Sequence, residues 1–60
     1  MSRWTFFTEK ISVTRLGEKI DRNSDEGWEI VALSPCSISK NGEVLTFIGV
    51  FRKEDQPRED

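Results

Sequence analysis

The residues able to do chemistry in this chain are few and scattered. Cys36 is the only thiol, and there is no histidine. A cysteine nucleophile needs a base or another source of thiolate stabilisation, and a zinc site needs several Cys or His ligands. Lying between Pro35 and Ser37 in an apolar run, Cys36 reads as a small buried hydrophobe. Asp25, Glu26 and Glu29 form a short carboxylate cluster, the raw material of acid–base catalysis. Glu29 opens an apolar run at a point where it still reaches water, so the three read as surface charges. Gly17, Gly27, Gly42 and Gly49 are too dispersed to cradle a phosphate, and no dinucleotide or Walker pattern occurs. Trp4, Phe6, Phe7 and Trp28 are able to stack a base or a flat ligand, but a chain this short needs its aromatics for a core first. The expectation is a protein that is not an enzyme and carries no cofactor.

Size sets the next constraint. A 60-residue chain makes one small domain whose core alone gives marginal stability. With one cysteine no internal disulfide can form, and oligomerisation becomes the natural route to stability. Net charge is −2 with the two signs interspersed, which gives no electrostatic footprint for nucleic acid or for an anionic membrane. The chain has no apolar run long enough to span a bilayer, and Met1–Thr5 lacks the layout of a signal peptide. A cytoplasmic location is expected.

The elements that must position these residues follow from periodicity. Residues 3–9 are aromatic and β-branched and suit a first strand. Val13, Leu16 and Ile20 are spaced as one face of a helix over about 13–25, with Ser12 or Thr14 as its cap and Glu18–Arg22 paired on the outside. Gly27 can adopt the left-handed backbone that ends such a helix. Trp28–Ser39 reads as a second strand carrying Pro35, Asn41-Gly42 as a hairpin turn, and Glu43–Lys53 as the third strand. The domain spans 1–53, and the charged residues 54–60 form a tail expected to be disordered. The order is β-α-β-β, an α+β fold. A right-handed crossover and a hairpin give sheet order 1-3-2, with the apolar third strand central.

A two-residue turn at Asn41-Gly42 places Lys40 opposite Glu43. One face then holds Trp28, Ile30, Ala32, Cys36, Phe47, Gly49 and Phe51 for the helix, and the other holds Val31, Leu33, Thr46, Ile48 and Val50. That second face has no helix to cover it. It therefore predicts a homodimer packed sheet on sheet through Val31, Leu33, Thr46, Ile48 and Val50, unless a bulge at Pro35 reshuffles the faces. Phe6 and Phe7 are adjacent, so one must point away from the helix; the first strand, with Phe7 and Trp4, is the expected contact to a partner.

The first strand with Trp4, the joint Glu26-Gly27-Trp28-Glu29-Ile30-Val31, and the closing Phe47-Ile48-Gly49-Val50-Phe51-Arg52-Lys53 together resemble the small bacterial and phage family catalogued as domain of unknown function 4177. The likeness covers about residues 3–53 and implies a compact β-α-β-β unit. It supplies no activity, cofactor or catalytic residue. Phage-type proteins of this size suggest an inhibitor or regulator of a larger host protein, for example one of antiviral defence. The topology also resembles that of dodecins, which implies the alternative of sequestering a planar small molecule or nucleotide on Trp4 or Trp28 at a subunit interface.

Overall fold

The structure, a computed structural model, describes residues 3–55. Strand β1 (Arg3–Ser12) leads through a 3-10 turn (Val13–Arg15) into helix α1 (Leu16–Asp25), then β2 (Glu29–Ile38) and β3 (Val44–Asp55). The sheet order is β1-β3-β2, and β3 runs antiparallel to both neighbours. This is the β-α-β-β arrangement expected of an α+β fold. Strand β3 continues two residues further than expected: Glu54 lies opposite Trp4, Asp55 lies opposite Arg3, and the Asp55 carboxylate accepts from Thr5 Oγ1 at 3.1 Å. Of the expected tail, only residues 56–60 lie outside the described part.

Helix α1 lays Leu16, Lys19, Ile20 and Asn23 against the sheet, the i, i+3, i+4, i+7 pattern of one face. Neither expected cap bonds the helix backbone; Ser12 Oγ instead lies 3.0 Å from Thr14 Oγ1. The C-terminus is closed more firmly. Trp28 N–H donates to the Asn23 carbonyl at 2.8 Å and Gly27 N–H to the Ser24 carbonyl at 2.9 Å, the paired bonds of a Schellman motif. Gly27 has φ +91°, as that motif requires.

The core is very small. Among the described residues, Ile11 (2% exposed) and Phe51 (0%) are the buried apolar side chains. The Phe7 ring stacks on Phe51 (centroids 5.0 Å, planes 14° apart) and receives Trp28 edge-on at 4.7 Å. Gly49 makes room for this, since a Cβ there would lie 3.1 Å from the Phe51 ring. The reason for the small core is geometric. Twelve residues of β3 extend about 40 Å, while ten residues of α1 rise about 15 Å, so the helix covers less than half of one face. The radius of gyration is 14.3 Å, against about 10 Å for a compact chain of this length.

Candidate protein-binding surface

The register decides which side chains form each surface, and it differs from the sequence-based expectation. The hairpin loop has three residues, not two. Gly42 N–H donates to the Ser39 carbonyl at 3.0 Å, and Ser39 N–H donates to the Glu43 carbonyl at 2.7 Å, so Ser39 rather than Lys40 faces Glu43. Gly42, at φ +86°, takes the left-handed position that follows a turn in such loops. The Ser39 hydroxyl fixes this form by accepting from the backbone N–H of Asn41 and of Glu43, both at 3.2 Å. A shift of one residue exchanges the two sides of a strand. The hairpin shift is undone at once, because an extra residue at Leu45 in β3 returns Ser37 to its expected place opposite Thr46. An extra residue at Cys36, next to Pro35, then shifts the pairing again, so that Leu33 faces Gly49 on the helix side and Ala32 faces Val50 on the open side. Both placements reverse the two-residue-turn register, by the reshuffling that a bulge at Pro35 was expected to cause. A bulge between Ile30 and Ala32 then shifts the pairing again and sets Ile30 opposite Phe51 on the helix side.

Of the five residues expected to form one aliphatic face, Thr46, Ile48 and Val50 remain together on the open side of β3. Leu33 has moved to the other side, and Val31 sits at the bulge, 42% exposed. Pro35, expected to mark a bulge, has its irregularity at Cys36, and the extra residue turns Cys36 out to solvent, where burial as a small hydrophobe was expected.

On β1 the two phenylalanines divide in the opposite sense to the one expected. Phe7 is packed into the aromatic cluster with Phe51 and Trp28, so it is not free to contact a partner. Phe6 is the outward residue, 57% exposed and opposite Arg52. Trp4 is on that same open side, 39% exposed. Only the register of β1 against β3 could have separated Phe6 from Phe7.

A polar clasp holds one end of the open face. The Arg52 guanidinium lies 4.0 Å from the centre of the Trp4 ring and donates to both carboxylate oxygens of Glu29, at 3.2 and 3.4 Å. One side chain from each strand is thereby joined. Towards the hairpin the face becomes hydroxylic, with Ser37 Oγ 2.7 Å from Thr46 Oγ1. The open surface is thus an aromatic and aliphatic stripe of Trp4, Phe6, Ile48 and Val50, edged by Arg52, Glu29, Lys10 and serine and threonine hydroxyls.

The groups considered for chemistry are not assembled. Glu29 is engaged by Arg52, while Asp25 and Glu26 are exposed at the helix end. Among the described residues no three of His, Cys, Asp and Glu converge as a metal site. On the covered side Glu9, half-buried, accepts from Lys19 at 3.1 Å and from Asn23 at 3.3 Å, which ties α1 to β1. A depression of about 360 Å³ lies between the end of α1 and the start of β2, lined by Ile20, Ser24, Gly27, Trp28, Glu29 and Ile30. No described helix is long and apolar enough to cross a membrane. No known family, curated protein or solved structure matches this chain.

Proposed function

We propose that this protein is a non-catalytic protein-binding module that works as a homodimer and presents its open sheet face to a larger protein. The observation that carries this reading is the division of the sheet: its one helix covers part of one face, while Trp4, Phe6, Ile48 and Val50 line the other. Aromatic and aliphatic anchors within a charged and hydroxylic rim are the composition of a protein interface. A core in which Ile11 and Phe51 are the fully buried apolar side chains among the described residues also favours a second subunit. A phage-type inhibitor or regulator fits these properties, with a host antiviral-defence protein as the class of target. That last step rests on the sequence resemblance alone.

The alternative of stacking a planar ligand has less support. Each tryptophan already has a cation over its ring, Arg52 over Trp4 at 4.0 Å and Lys53 over Trp28 at 5.0 Å. Titrating flavins and nucleotides against tryptophan fluorescence is expected to give no saturable quenching.

The central test substitutes the middle of the open face. Ile48→Lys should retain the circular dichroism of the wild type yet lose a partner that wild type and an Arg22→Ala control both retain in pull-down. A partner held equally by Ile48→Lys overturns the assignment of the face.

A further inference from the structure

The two edges of the sheet are unequal. Strand β2 carries Pro35, which has no N–H to offer, and its pairing is irregular near Val31 and Cys36. Strand β1 has neither proline nor glycine, and its ten residues pair with β3 without interruption. Its outer edge therefore presents a long, regular row of backbone donors and acceptors. Such an edge is a template for another strand unless charges or bulges blunt it. Between Arg3 and Glu9 the five residues Trp4–Thr8 carry no charge and have high β-propensity.

We propose that two copies of this chain join along β1, antiparallel, with Phe6 of each on the twofold axis. The sequence of β1 is self-complementary in this one register. Pairing Phe6 with Phe6 of the second copy puts Arg3 opposite Glu9, Trp4 opposite Thr8 and Thr5 opposite Phe7. Shifting the axis to Phe7 puts Arg3 opposite Ile11 and Trp4 opposite Lys10, and the charge match is lost. Glu9 is already held by Lys19 and Asn23, and Arg3 of the second copy adds a cation beside that carboxylate. Antiparallel strand pairing about a twofold keeps each face on its own side. The product is a six-stranded sheet with both helices on one side. On the other side the Trp4 and Phe6 side chains of both copies meet at the centre. The second copy thus completes the surface assigned above to the partner protein, and the proposal rests on that reading of a dimeric binding module.

Cysteine cross-linking tests the register. In a Cys36→Ser background, Phe6→Cys places two thiols across the axis, within reach of a disulfide. Thr8→Cys, on the same face, sets its two thiols four residues out of register. Oxidation with copper phenanthroline should cross-link Phe6→Cys at least about tenfold faster than Thr8→Cys, and Ile48→Cys should remain uncross-linked. Phe6→Lys, which places two cations at the axis, should weaken self-association at least about tenfold by light scattering with circular dichroism unchanged. Dimers that cross-link through Ile48→Cys, or equally at positions 6 and 8, overturn the β1 pairing while leaving a dimeric module intact. Monomeric wild-type protein at micromolar concentration overturns both.

Discussion

Phe6 and Phe7 are neighbours in the chain with the same side chain, and their fates differ completely. Phe7 stacks on Phe51 beneath the helix; Phe6 is 57% exposed on the far side of the same strand. The same contrast runs across the sheet. On the covered face Phe51 and Ile11 close over Gly49 with Phe7 and Trp28 packed alongside, and the fully buried apolar side chains among the described residues are there. On the open face apolar side chains of similar size are held by an Arg52–Glu29–Trp4 clasp at one end and a Ser37–Thr46 contact towards the other. The covered face keeps the chain folded. The open face costs little to keep and is available for contact, which is what a recognition surface on a very small scaffold requires.

Substitutions should separate the two faces by the size of their effects. Phe51→Ala removes the most buried ring, and such truncations cost about 3–5 kcal/mol. That equals the whole stability a core of this size supplies, so circular dichroism should show an unfolded chain. A cooperative melt close to that of the wild type would break the distinction between the faces. Gly27→Ala should cost about 1 kcal/mol, because the Schellman position needs φ +91°. The added Cβ meets only the flexible end of Lys53, at 3.0 Å, so the loss is backbone strain, and a lowered urea midpoint would register it. On the open side, Glu29→Gln should shift that midpoint by less than about 1 kcal/mol, since the Arg52–Glu29 pair is largely solvated. A loss comparable to that of Phe51→Ala would make the clasp part of the core.

How much of this was legible in the sequence depends on whether a feature is local or relational. The joint at Gly27 and Trp28 was readable because a left-handed glycine after a helical pattern leaves few alternatives. The element order and the central position of β3 followed from patterning and from the short hairpin. Which side chains share a face did not follow. Asn41-Gly42 fits a two-residue turn and a three-residue loop equally well, because glycine takes positive φ in both. The choice between them falls to the Ser39 hydroxyl, bonded to two backbone N–H groups beyond it. Pro35 did mark the bulge at Cys36 that turns Leu33 and Ala32 over, whereas the irregularities at Leu45 and Val31 leave no mark in residue type. Phe6 and Phe7 likewise carry no label for inside and outside until β1 is set against β3, so the sequence alone does not place Phe7 inward. Glu54 and Asp55 read as a solvated tail because their partners, Trp4 and Arg3, lie at the other end of the chain.

The loop from Ser39 to Glu43 has a consequence for how this chain can change. Loop length here acts as a parity setting. With the rest of the strand kept as it is, adding or removing one residue exchanges inside for outside along β2, sending Leu33 and Ile30 to the open side and Ala32 to the covered one. Two residues restore the original sides. The extra residues at Leu45, Cys36 and Val31 are further settings of the same kind, each turning over the part of β2 beyond it. Variants of this chain are therefore free to lengthen the hairpin in twos, and each single step, in the loop or at a bulge, redraws the open face without altering any residue on it.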